Sequence, residues 1–291
     1  MVSINQLLKL TMERRASDLH IVANSPPIIR IDGKLYPTEL EVLDSDDTKR
    51  LIYSILNDEQ KAIFERDKEL DFSFEIEGMD RFRVNIHYQR GNVEAAFRRI
   101  PAIIPSIEEL GLPDVVYDFV RKPNGLILIT GPTGMGKSTT LAAMIDIINN
   151  EREEMIICIE DPIEFVHKNK KSIIKQREVY SDTHSFPEAL KRVLRQDPNV
   201  IVVGEMRDLE TIATTLTAAE TGHLVLATLH TPDAPQTVQR IIDVFPPHQQ
   251  KQIRLQLADC LRGVISQLLL PRADGTGRVL ATEIMVATPG I

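Results

Sequence analysis

The eight residues Gly131-Pro132-Thr133-Gly134-Met135-Gly136-Lys137-Ser138 constrain this chain more than any other feature. They satisfy G-x-x-x-x-G-K-[ST] in full, in the setting that gives the pattern its meaning. The apolar run GLILIT precedes them and the helix-like TTLAAMIDIINN follows. A strand that turns through glycines into a helix brings backbone N–H groups and the positive end of a helix dipole to one place, which suits a phosphate group. The expected ligands are therefore ATP and Mg²⁺. Lys137 is placed for the β- and γ-phosphates and the Ser138 hydroxyl for Mg²⁺, with Thr139 the next residue of the cradle.

Texture divides the rest of the chain. Residues 1–100 read as a small α+β domain: a helix near 3–15, a short strand from Asp18 to Val22, and a hairpin in IIRIDGKLY turning at Asp32-Gly33. A helix over 46–66 follows, with Leu51, Ile52, Ile55, Leu56 and Ile63 on one side, and then a meander of DFSFEIEG, RFRVNIHY and NVEAAFRRI. Residues 101–114, with Pro101, Pro105 and Pro113, break both periodicities and are expected to be a linker. From 115 to 291 the short apolar runs GLILIT, MIICIE, NVIVVGE and HLVLATLH predict a parallel sheet buried on both faces, and so an α/β domain.

In open α/β sheets ligands bind outside the carboxyl ends of the strands. MIICIE leads into Glu160-Asp161-Pro162-Ile163-Glu164, NVIVVG into Glu205, and HLVLATL into His230. With the phosphate loop after GLILIT, four strands deliver acids, an imidazole and a phosphate cradle to one edge. Glu164 and Glu205 are the candidates for preparing the attacking water, and Glu160 and Asp161 for the metal shell. Gly204 stands where many P-loop enzymes place a metal-binding aspartate, which leaves more of the Mg²⁺ binding to Ser138, water or the EDPIE acids. His230 lies at the carboxyl end of its strand and is the expected sensor. His223, about 23 Å away along an extended strand, is expected to be structural.

A net charge of −8 argues against a uniformly basic surface for nucleic acid. No run approaches the roughly 18 uncharged apolar residues of a membrane span, and MVSINQLLKLTMERR reads as an amphipathic helix rather than a signal peptide. Cys158 and Cys260 form no CxxC pair, so a four-cysteine zinc module is excluded. A cytoplasmic protein is expected.

GPTGMGKSTT, IEDPIEF, VIVVGEMRDLET and TAAETGHLVLATLHT resemble the Walker A, Asp box, Walker B and His box of secretion-type traffic ATPases. Their wording, with ASDLHI, RFRVN and FRRIP, is most similar to the type IV pilus retraction ATPases, the PilT family, across essentially the whole chain. The resemblance implies a RecA-like ATPase domain behind a PAS-like N-terminal domain. It also implies a homohexameric ring at the cytoplasmic face of the inner membrane, turning a pilus platform protein. It assigns Glu164 as catalytic base, Glu205 as Walker B acid and His230 as His-box sensor, and it makes the glycine of VIVVGE the family's own form. Family members continue into a helical region with an AIRNLIRE-like segment tied to retraction, whereas this sequence ends at Ile291 after TEIMVATPGI, as a piece of a longer protein would.

Three other readings stay open on sequence: a pilus-assembly or type II secretion ATPase of the same superfamily, a nucleic-acid translocase, and a scaffold that binds ATP without turning it over. Phosphoryl transfer commonly uses an arginine as well. Alternation puts Arg81, Arg83 and Asn85 on the face opposite Phe82, Val84 and Ile86, and turns Arg98 away from Phe97 and Arg99. That favours Arg98, and the resemblance selects Arg83 over Arg81. The first testable consequence concerns Lys137, expected to be an exposed side chain of little weight in stability. Lys137→Ala should abolish nucleotide binding or hydrolysis in a folded protein, read by ATP turnover alongside circular dichroism; near-normal turnover would remove the phosphate loop from the chemistry.

Overall fold

The computed structural model describes residues 2–31, 33–75, 80–100, 103–273 and 277–288. Two compact units divide the chain, Met1–Ala102 and Ile103–Ile291. Asp32 of the expected hairpin turn, Pro101 of the expected linker and the terminal Ile291 lie outside the described residues.

The first unit runs α1 (Ile4–Glu13), β1 (Asp18–Ile21), β2 (Ile28–Ile31), β3 (Lys34–Pro37), α2 (Ser45–Tyr53), α3 (Asp58–Asp67), β4 (Glu69–Glu75), β5 (Arg81–Gln89) and β6 (Asn92–Ile100). The strands form one antiparallel sheet in the order β3-β2-β1-β6-β5-β4. Leu19, Ile21, Phe82, Val84, Ile86, Val93, Ala95 and Phe97 point to the same face and pack under Leu7, Leu8, Leu51, Ile52 and Phe64 of the helices. The opposite face keeps Asp18, Arg83 and Arg98, as period-2 alternation requires. The single helix expected over 46–66 is in fact two. Asn57 accepts a hydrogen bond from Gln60 N at 2.8 Å, while the Gln60 side chain accepts from Asn57 N. This reciprocal cap starts a new helix inside an unbroken apolar pattern.

The second unit runs α4 (Ile107–Leu110), α5 (Val115–Val120), β7 (Gly125–Thr130), α6 (Lys137–Glu151), β8 (Met155–Glu160), β9 (Ile173–Glu178) and α7 (Phe186–Val193). It continues with β10 (Val200–Val203), α8 (Leu209–Glu220), β11 (Leu224–Leu229), α9 (Ala234–Asp243), α10 (Pro247–Cys260), β12 (Leu261–Pro271) and β13 (Arg278–Val286). The sheet order is β13-β12-β7-β11-β10-β8-β9, parallel throughout except for β13, which pairs antiparallel with β12. Along each central strand alternate side chains enter different cores. Leu126, Leu128, Ile201, Val203 and Val225 meet α7 to α10, while Ile127, Ile129, Val200, Val202 and Leu224 meet α4, α5 and α6.

Within the stretch expected as a linker, Ser106 caps α4, and Ile107 and Leu112 are buried in the core beneath α6. The two outer elements of the sheet were not foreseen. β9 is an edge strand whose exposed and half-buried side chains lack a continuous apolar run, and β12 and β13 form a long hairpin. Gly263 in β12 is what lets α5 pack there, because a Cβ would lie 2.2 Å from Cζ of the buried Phe119 ring. Among the described residues no helix is long and apolar enough to cross a membrane.

Candidate active site

β7 ends at Thr130, and the chain turns through Gly131 at φ +139°. A Cβ on Gly131 would lie 2.4 Å from the Gln267 carbonyl oxygen of β12, so glycine is required both by conformation and by the neighbouring backbone. Gly134 and Gly136 also take left-handed conformations, at +79° and +82°. Around Gly134 a Cβ would meet nothing within 4 Å, so glycine is required there by conformation alone. Gly136 begins α6 without a side-chain cap, so the first N–H groups of that helix are not taken by side-chain oxygens. Behind them the buried Gln267 side chain donates to Thr140 Oγ1 at 2.7 Å and ties α6 to β12. Pro132, Thr133 and Gly134 are exposed at the loop's crest, while Met135, Ser138 and Thr139 are half-buried at its base.

Lys137 is not the exposed lysine expected. Only 8% of its surface is accessible, and its ammonium donates to the carbonyls of Gly131 at 2.8 Å and Pro132 at 3.0 Å. Burial pushes its pKa below the ordinary lysine range, opposed by the negative charges of Glu205 and Glu164. Both carboxylates therefore lie near enough to the Lys137 ammonium for their charge to be felt there. His230, just past β11, links these parts. Its Nδ1 lies 3.4 Å from both Lys137 Nζ and Thr133 Oγ1, and its Nε2 lies 3.0 Å from Glu205 Oε1. Because an ammonium can only donate, this network favours the tautomer in which Nδ1 accepts and Nε2–H donates to Glu205.

Glu205 has a second partner that sequence reasoning missed. Arg207 donates Nε to Oε1 at 2.5 Å and Nη2 to Oε2 at 2.6 Å, a bidentate clamp. Burial raises the Glu205 pKa, but the hydrogen bonds and charge of Arg207, with the hydrogen bond from His230, outweigh it and hold the carboxyl below its usual range. The signal for Arg207 was its place two residues beyond a strand-end acid, where a strand-like spacing returns the side chain to the same side. Glu164 contrasts with Glu205: it is exposed, and among the described residues its carboxylate has no hydrogen-bond partner.

Glu160 Oε1 accepts from Gln176 Nε2 of β9 at 2.9 Å, and Asp161 is exposed. Among the described residues no group of three or more His, Cys, Asp or Glu is arranged to hold a metal. Gly204 is explained by crowding, since a Cβ there would lie 3.1 Å from Glu160 Cα and from the Ile159 carbonyl oxygen. His223, at the far end of β11, places Nδ1 2.9 Å from the Ala218 carbonyl oxygen at the end of α8. Arg83 and Arg98 belong to the first unit, where they face each other across β5 and β6.

This fold and this loop define a P-loop ATPase with a RecA-like catalytic domain and a separate N-terminal domain. The chain belongs to the family of Type II/IV secretion system proteins, whose profile matches residues 1–287. It is 51% identical over 290 residues to the type IV pilus retraction ATPase PilT of Pseudomonas aeruginosa, covering 100% of this chain and 84% of that protein. The twitching motility protein of Neisseria gonorrhoeae is 47% identical over 289 residues, covering 99% and 77% respectively. The crystal structure of the pilus retraction motor PilT with bound ADP aligns at TM-score 0.95 and 50% identity, covering 99% of this chain and 84% of that one.

The Arg207 clamp has a consequence in pH. A carboxyl depressed in the folded state contributes stability that is present above its unfolded pKa, about 4.3 for glutamate, and lost as pH falls through the folded value. Arg207→Ala removes the largest lowering influence on Glu205. The variant should therefore be less stable than the parent at neutral pH, and the gap should close at about pH 3. Thermal unfolding at both pH values measures this, and an equal gap at both would assign Arg207 to packing instead.

Proposed function

We propose that this chain is the motor ATPase that retracts type IV pili and so supports twitching motility. It would act as a homohexameric ring at the cytoplasmic face of the inner membrane, working on a pilus platform protein. The observation that carries the motor reading is the His230 imidazole lying between the phosphate loop and Glu205. A nucleotide γ-phosphate must arrive beside Lys137, so a side chain touching both the loop and an acid reports its presence to the far side of the site. Retraction, rather than assembly or secretion, is favoured by likeness over all of this chain and 84% of a retraction motor and by the lack of a four-cysteine module in the sequence.

Residues 131–139 cradle the phosphates, with Lys137 leaving its carbonyl partners for the β- and γ-oxygens. Mg²⁺ fits here as a largely hydrated ion. Ser138 offers one hydroxyl, Gly204 offers no side chain, and Mg²⁺ commonly takes one or two protein ligands beside phosphate oxygens and water. Glu160 and Asp161 reach it through water. The ion supplies charge neutralisation at the phosphates. Glu164 is the water-activating base, because its carboxylate is unengaged, whereas both Glu205 oxygens are held by Arg207 and His230. Arg83 and Arg98 serve the ATP of a neighbouring subunit, supplying cations that the loop, with Lys137 alone, lacks. The acidic chain argues against a nucleic-acid track.

Glu164→Gln should bind ATP with near-normal affinity and hydrolyse it about 10²–10⁴-fold more slowly. Lost binding with unchanged turnover would move Glu164 to the metal shell. The cellular role is tested by deleting the gene: long, abundant, static pili and lost surface motility support retraction, while bald cells would make the chain an assembly ATPase.

A further inference from the structure

The polar face of the N-terminal sheet holds one rung of charge. Arg83 on β5 stands directly across from Arg98 on β6, Arg98 across from Asp18 on β1, and Asp18 across from Arg30 on β2. Three guanidiniums thus stand on one rung with one carboxylate, which pairs with Arg98 and Arg30, in a protein whose net charge is −8. Like charges directly opposite destabilise an antiparallel pair, so stability does not explain this rung.

Asp18 is its fixed point. Its side chain is only 9% exposed, against 72% for Arg98. Oδ1 accepts from Arg98 Nε at 2.9 Å, Ser17 Oγ donates to Oδ2 at 2.8 Å, and Arg30 Nε lies 3.6 Å from Oδ2. Arg98 makes no other hydrogen bond among the described residues, so it is tethered by the inner nitrogen of its fork. The terminal pair, which suits two oxygens of one phosphate, is left for a ligand.

We infer that Asp18 is a positioning residue that holds Arg98 by Nε and aims its terminal nitrogens, beside Arg83, at the phosphate oxygens of a nucleotide. This rests on the reading that Arg98 serves a neighbouring subunit's ATP. An untethered arginine has several rotatable bonds, and a misplacement of about 1 Å in a catalytic array costs on the order of 10²-fold in rate.

The test uses purified full-length rings. Asp18→Asn should leave the Kd for a non-hydrolysable ATP analogue unchanged and lower kcat about 10–100-fold. In an Arg98→Ala background the same substitution should have no further effect on kcat. Rings mixing Asp18→Asn subunits, whose phosphate loops are intact, with Lys137→Ala subunits, whose Asp18–Arg98 pair is intact, should recover hydrolysis above either parent. Should Asp18→Asn fail to assemble, Ser17→Ala, which removes only the hydroxyl partner of Oδ2, should lower kcat by a smaller factor and again only when Arg98 is present. If Arg98→Ala slows turnover but Asp18→Asn and Ser17→Ala do not, the positioning role is overturned while Arg98 keeps its own. Equal further slowing by Asp18→Asn in the Arg98→Ala background also overturns it, as a structural effect. Unchanged turnover in Arg98→Ala itself overturns the reading beneath it.

Discussion

The central strands β7, β11, β10 and β8 have both faces buried, and the geometry of the site depends on that. Side chains on one face pack beneath α7 to α10, and those on the other beneath α4 to α6. Such strands cannot slip by one residue without exchanging the two cores. Their register is therefore fixed, and with it the heights at which the phosphate loop, Glu205 and His230 emerge. A buried parallel sheet thus acts as a ruler: hydrophobic packing, which has no direction of its own, sets the positions of polar groups to within hydrogen-bonding distance.

What emerges at that edge is a connected polar network. Lys137 rests on two loop carbonyls, His230 touches Lys137 and Glu205, and Arg207 closes over Glu205. Each link involves a group that ATP would compete for or displace. Phosphate oxygens are stronger partners for an ammonium than backbone carbonyls, because the bond then joins opposite charges. A phosphate drawn to Lys137 would therefore bear on His230 and, through it, on Glu205 and its arginine.

The N-terminal unit solves a different problem with the same period-2 rule. Its antiparallel sheet buries one face under three helices and leaves the other polar. The exposed face can therefore hold an excess of guanidinium that a core could not, since burying an unpaired charge is costly. The buried carboxylate of Asp18, hydrogen-bonded to Arg98, gives that face a fixed point without neutralising it.

Much of this was legible in the chain alone. The phosphate loop, the strand ends that lead to Glu164, Glu205 and His230, and the alternation that separates Arg83 and Arg98 from Phe82 and Phe97 are local patterns with local causes. The break at Asn57 was missed because an apolar stripe continued through it, and β9 because an edge strand buries too little to show a hydrophobic run. The burial of Lys137, the Arg207 clamp and the crowding that makes position 204 a glycine were decided only by tertiary structure. Each depends on segments distant in sequence meeting at one sheet edge: Gly131 against Gln267 of β12, Gly204 against Ile159 and Glu160 of β8, and His230 between Lys137 and Glu205. Residue types and spacing determine which groups reach that edge. How closely they approach, and which of them are already engaged, follows from the packing of the strands beneath.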